Sequence, residues 1–141
     1  MKTLKINYLA VLVMVILGQL IPMGWYTLFQ EKWMAYTNLT MEMGSEAGAT
    51  PYLASIVYSA FLAWALSWVF TRMKVESAMD GLKSALILGF PVTILYNIMQ
   101  NLFSMRPYGL SWIDGGCGII MFAVAGLVLG GWRKYDAAPG A

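Results

Sequence analysis

Four stretches of this chain are each long and apolar enough to cross a bilayer, and no other feature restricts its fold as tightly. A helix needs about 20 mostly apolar residues to span the hydrocarbon core. Residues 8–29, 52–70, 82–103 and 110–132 meet that requirement. Within them the formal charges are Lys83, at the edge of the third, and Asp114, about one turn into the fourth. Lipid offers no partner for backbone N–H and C=O groups, so each stretch is predicted to be a helix. The expected fold is an all-α membrane protein, a bundle of four transmembrane helices making one membrane domain over residues 1–141, with a long outer loop at 30–51. Composition agrees. The chain is 60% hydrophobic and 11% charged, whereas soluble domains carry about 25% charged residues, and a small soluble fold could not bury so much apolar surface.

Lys2 and Lys5 ahead of the first run invite comparison with a signal peptide. The run is long, ends in Gly24-Trp25-Tyr26 and lacks a small-x-small cleavage site, so it reads as an uncleaved first helix. Pro22 marks a kink or an end within it. Seven of the nine basic residues (Lys2, Lys5, Arg72, Lys74, Lys83, Arg133, Lys134) fall on one side of the predicted spans, leaving Lys32 and Arg106 on the other. The positive-inside rule then places both termini in the cytoplasm. Trp25, Tyr26, Trp33 and Tyr36 surround the outer end of span one, and Tyr108 and Trp112 the outer start of span four, as interface anchors do.

Lipid is as apolar as leucine, so helices in a bilayer associate through close contact and polar links. Small residues recur at intervals of four: Ser55, Ser59, Ala63 and Ser67 in span two, Gly81, Ala85 and Gly89 in span three, and Gly126 and Gly130 in span four. These ladders face other helices within the bundle, or, on span four, a second copy of the chain. Pro91 is expected to bend span three. The outer loop mixes Trp33, Met34, Tyr36, Leu39, Met41 and Met43 with acidic residues, which suits either a helix lying in the interface or an ordered loop.

Several chemistries are excluded by count. There is no histidine and one cysteine, Cys117, so a His-ligated haem, a His-containing zinc site, a Ser-His-Asp triad and an intrachain disulfide are ruled out. No cofactor is expected. A net charge of +2 without a basic cluster gives no sign of a nucleic-acid partner.

What remains is a polar group toward the outer half. Asn97, Gln100 and Asn101 are spaced i, i+3, i+4 on one helical face, and Asp114 enters the neighbouring antiparallel helix at a similar depth. Gln19 approaches the same level or one somewhat deeper. Lys32 and Arg106 lie close enough in sequence to helix ends to pair with Asp114. Ionisable groups in a membrane are costly and face the interior or a water-filled cavity. One reading is an outward-facing polar pocket with Asp114 as a cation or proton site and the amides orienting the ligand. The other is that Asp114 caps span four and the amides merely link helices. One acid without a second carboxylate, activated nucleophile or metal set does not make a catalytic constellation, so an enzyme is not expected.

Specific residues also resemble a known family. Ile6-Asn7-Tyr8-Leu9-Ala10-Val11, then Gly24-Trp25-Tyr26 with Phe29, Lys32 and Trp33, then Ile113-Asp114-Gly115-Gly116 through Gly126, Leu129, Gly130 and Trp132, together resemble the bacterial membrane family called domain of unknown function 1761. The sequence departs from that pattern at Gln30-Glu31, where a glycine is expected, and at Cys117, where an aromatic residue is expected. The resemblance implies a small four-helix protein of a bacterial cytoplasmic membrane and brings no activity with it. It raises Asn7, Trp25, Lys32, Trp33 and Asp114 as candidates for a common role. The candidate ligand-binding set is therefore Asp114, Asn97, Gln100, Asn101, Lys32, Trp33 and Trp25. Two functions are expected to compete: a binding or transport protein for a small molecule or ion, or an accessory subunit of a larger membrane complex. The partners are the lipid bilayer and either a homodimer or such a complex.

Overall fold

The structure is a computed structural model that describes residues 2–137. Four helices are long and apolar enough to cross a membrane: Tyr8–Leu28, Thr50–Met73, Ala78–Phe103 and Tyr108–Gly131. We label them with the shorter elements in chain order. Strand β1 is Leu4–Lys5, and α1 is Tyr8–Leu28. Two short helices, α2 (Gln30–Thr37) and α3 (Met41–Glu46), fill the long loop, and α4 is Thr50–Met73. The third span is composite: α5 (Ala78–Phe90), a π-helical turn (Pro91–Leu95) and α6 (Tyr96–Phe103). Helix α7 is Tyr108–Gly131, and β2 is Lys134–Tyr135.

Helix ends differ from the apolar limits because caps, and not hydropathy, stop a helix. Ser77 accepts from the Asp80 N–H at 3.1 Å and so starts α5 four residues before the apolar run at 82. Helix α4 continues past residue 70 to Met73, where Lys74 ends it with φ 55°. Asn7 caps α1 through Oδ1, which accepts from the N–H groups of Leu9 at 3.2 Å and Ala10 at 3.4 Å. Pro22 neither ends nor divides α1, which runs through it to Leu28.

Helix α7 is the centre of the fold. Half of its apolar window is buried, against 17–28% in the other spans. Helix α5 crosses it where Gly81 faces Gly126 and Gly130, and backbone touches backbone. A methyl group on Gly126 would stand 2.5 Å from the Gly81 carbonyl oxygen, and one on Gly130 would stand 2.7 Å from the Gly81 Cα. Close approach of this kind gives membrane helices dispersion contacts that lipid cannot supply. The span-four glycines are thus covered from within the chain, which removes them as a face for a second copy. On the other flank α4 buries Ser59, Ala63, Leu66, Ser67 and Phe70 toward α1 and α7. Leucine, isoleucine, phenylalanine and tryptophan side chains elsewhere on α1, α4 and the third span point outward, among them Phe61, Ile87 and Phe103 at 67%, 74% and 83% exposure. That surface matches lipid.

Both ends of the described chain meet at one end of the helices. Strands β1 and β2 pair antiparallel with Leu4 opposite Tyr135, and Lys5 forms an ion pair with Asp136. Asn7 Nδ2 donates to the Trp132 carbonyl at 3.1 Å, tying the start of α1 to the end of α7. The Tyr135 hydroxyl donates to Glu76 at 2.8 Å, and Arg133 donates to Thr71 Oγ1 at 3.1 Å, so this end is fastened to the last turn of α4 and to the α4–α5 connection as well. The opposite end carries α2 and α3.

Candidate functional site

Asp114 sits almost two turns into α7. The free N–H groups of a helix belong to its first four residues, so this carboxylate is too far along to cap the helix. Its Oδ1 instead accepts from the Tyr26 hydroxyl at 2.6 Å and from the Trp33 indole N–H at 3.1 Å. Trp25 of α1 donates its indole N–H to the Ile113 carbonyl at 2.8 Å, and its ring covers Gly116. Tyr36 of α2 lies against Gly109. Consecutive turns of α1 and α2 are therefore fastened to one stretch of α7 by tryptophan and tyrosine, whose polar atoms find partners when their rings are buried.

The third span approaches the same stretch from the other side. Pro91 has no N–H and opens the helix into a π turn. Polar side chains add further bonds there. Thr93 Oγ1 donates to the Gly89 carbonyl at 2.7 Å, and Asn97 Nδ2 donates to the Thr93 carbonyl at 2.8 Å. Asn101 Nδ2 donates to Ser111 Oγ at 3.0 Å, and Ser111 in turn donates to the Asn97 carbonyl at 3.3 Å. Asn101 and Ser111 are buried and lock α6 to α7.

Between these two flanks lies a cleft of about 240 Å³. Its walls are Gly18, Pro22 and Tyr26 of α1, Ser55 and Tyr58 of α4, Val92, Thr93 and Asn97 of the third span, and Asp114, Cys117, Gly118 and Met121 of α7. A second cavity of about 490 Å³ lies beside it toward the loop end, under α2 and α3, lined by Met23, Met34, Met41, Trp33 and Tyr52 among others. Tyr26 belongs to both.

Of the residues the sequence brought forward, Asp114 and Asn97 line the cleft. Trp33 and Trp25 reach α7 from above and beside it, and Asn101 is spent on Ser111. Two do not join them. Gln100 is exposed and donates to the Tyr96 hydroxyl at 2.8 Å. At about 100° per residue it lies roughly 60° to one side of Asn97, and Asn101 lies about 40° to the other, the side that meets α7. Lys32 is exposed too, because its neighbour Trp33 is the α2 residue turned toward α7. Neither Lys32 nor Arg106 pairs with Asp114; among the described residues the one ion pair is Lys5–Asp136. Gln19 bonds across to Ser59 of α4 at 3.1 Å and links those two helices. Sequence reasoning took Tyr26 for a headgroup anchor and passed over Thr93. A hydroxyl four residues after a helical glycine and two after a proline was the available signal for Thr93; Tyr26 had none, since its partner is 88 residues away.

Chemically the site offers one carboxylate, an amide, several hydroxyls and a thiol. Among the described residues no group of three His, Cys, Asp or Glu side chains is placed to hold a metal.

No match was found among curated proteins or among solved structures. The family model described as protein of unknown function (DUF1761) matches residues 9–130, from the start of α1 to the last turn of α7, and so takes in every wall of the cleft. This chain belongs to the DUF1761 family.

Proposed function

We propose that this protein binds a small molecule or ion in the cleft at Asp114, as a binding or transport protein of a bacterial cytoplasmic membrane, with its termini in the cytoplasm. One observation carries the reading: a carboxylate within a membrane span lines a cleft and, among the described residues, has no lysine or arginine paired with it. An intramembrane acid is costly to keep, and such residues mark ligand and ion paths. The neighbouring cavity, which shares Tyr26 with the cleft, supports access from the loop end. The competing role, an accessory subunit docked through its glycine faces, loses support because Gly81, Gly126 and Gly130 already face one another.

The test is a thermal-stability screen of the purified protein in lipid nanodiscs against amines, carboxylates, sugars and inorganic ions. A ligand that binds the folded state raises the melting temperature. At least one class should do so in the native protein and lose the effect in Ser55→Phe, which fills the cleft from its α4 wall. If no class stabilises the protein, or if Ser55→Phe responds as the native chain does, the proposal fails.

A further inference from the structure

We infer that the ligand of this cleft is a small organic cation bearing N–H groups, a primary ammonium; the inference rests on the binding role proposed above. The argument comes from which hydrogen-bonding atoms the fold has already used. Thr93 gives its hydroxyl proton to the Gly89 carbonyl, and Tyr26 gives its own to Asp114. Asn97 turns Nδ2 to the Thr93 carbonyl, which fixes the amide orientation because a carbonyl can be met only by the NH2 group. Among the described residues the Asn97 oxygen is thereby left without a donor, as are the Thr93 lone pairs. Both protein bonds to Asp114 end on Oδ1, so Oδ2 keeps its capacity. Pro22 has no N–H to give the Gly18 carbonyl one turn earlier, and both residues line the cleft. Ser55 and Tyr58 have hydroxyls that can turn either way, and the Cys117 thiol is only a weak donor. The wall is thus rich in acceptors and short of donors, and a ligand that fits must bring the donors itself.

Charge points the same way. Asp114 is the one formal charge on the wall. A monovalent cation makes a neutral pair there, which a low-dielectric site tolerates far better than a lone carboxylate or a doubly charged one. Tyr26 and Tyr58 are aromatic residues of the wall, and aromatic rings attract cations. The loop end carries Glu31, Glu42 and Glu46 against Lys32 and Arg106, a small acidic excess that favours cations there. Size limits the ligand: about 240 Å³ is below the roughly 300 Å³ where pockets for drug-sized molecules begin.

Saturation-transfer NMR on the protein in phosphatidylcholine nanodiscs, with empty nanodiscs as control, tests this with n-propylammonium, tetramethylammonium, 1-propanol and propionate. Propylammonium should bind saturably, the other three about tenfold more weakly or worse, and Asp114→Asn should weaken propylammonium by a similar factor, as loss of a charge-assisted bond does. The Asn side chain still accepts from Tyr26 and Trp33, so that variant keeps the fold's own bonds. If tetramethylammonium, 1-propanol or propionate binds as well as propylammonium, or Asp114→Asn binds it unchanged, the cation inference is overturned. The cleft reading survives that outcome when Ser55→Phe removes the binding. If none of the four binds, the cation inference falls and the cleft reading is decided by its own screen of sugars and inorganic ions. If Ser55→Phe binds them like the native protein, both fall together.

Discussion

Gly126→Ala adds one methyl group at the tightest crossing in the molecule, and its cost can be worked from the geometry. The new carbon would stand 2.5 Å from the Gly81 oxygen and 2.7 Å from the Ala85 Cβ. An ordinary C···O contact is about 3.3–3.6 Å, so α5 and α7 must part locally by about 1 Å. A gap of that size forfeits a quarter to a half of the dispersion energy of each atom pair it opens. Overpacking of this kind costs about 1–3 kcal/mol, and the upper part of that range applies because the opposing oxygen is backbone and cannot rotate away. Alanine is also a better helix former than glycine by about 1 kcal/mol, which masks part of the loss. Gly24→Ala removes that ambiguity: it lies in α1 with nothing within 4 Å of a new Cβ, so it reports helix preference alone. Reversible unfolding in mixed detergent micelles, followed by tryptophan fluorescence, should therefore find Gly126→Ala less stable than Gly24→Ala by about 2–3 kcal/mol. Equal stability of the two, within about 0.5 kcal/mol, would refute the claim that this crossing depends on bare backbone contact.

Other expectations follow from the ties around α7. Asp114→Ala should destabilise the same micellar protein by about 2 kcal/mol or more, because the Tyr26 hydroxyl and Trp33 N–H are left without an acceptor; Asp114→Asn should cost clearly less. Asn7→Ala should lower stability by about 1–2 kcal/mol through loss of the α1 cap and the bond to Trp132. Its effect should exceed that of the exposed cap variant Thr40→Ala, measured alongside it. Outside the spans, the bond to Glu76 holds the Tyr135 hydroxyl above its usual value of 10.0. The folded state keeps this proton better than the unfolded one, so the link is fully present below about pH 10 and fades as pH rises further. NMR titration with ring-labelled tyrosine should assign Tyr135 a late midpoint that moves earlier in Glu76→Gln, and an unchanged midpoint would dismiss the link.

The spans were legible because lipid punishes any charge or unpaired backbone group, leaving four unbroken apolar runs. Asp114 stood out for the same reason, as a charge where charges are expensive. Geometry at the level of single side chains was not legible. A three-residue pattern put Gln100 beside Asn97 and Asn101, yet a helix face about 100° wide need not turn all of itself toward one neighbour. Pro91 announced a disturbance, but not that Thr93 and Asn97 would spend their donors on the carbonyls around it. Tyr26 read equally well as an interface anchor, and only the approach of α7 separates the two roles. The β1–β2 ribbon is two residues long on each side, too short for any periodicity to announce it.

The central place of α7 bears on how the chain assembles. Ribosomes deliver the spans in order, and the helix with half its length buried comes after the other three. Until it enters the bilayer, α4 can rest on α1, but the third span has no α7 on which to lay Gly81, Ala85 and Gly89. Those first three helices must tolerate lipid, as they wait, on the faces that α7 will cover. Their outward leucines, phenylalanines and tryptophans suit that interval as much as the finished fold, and the small residues close up when the last helix arrives.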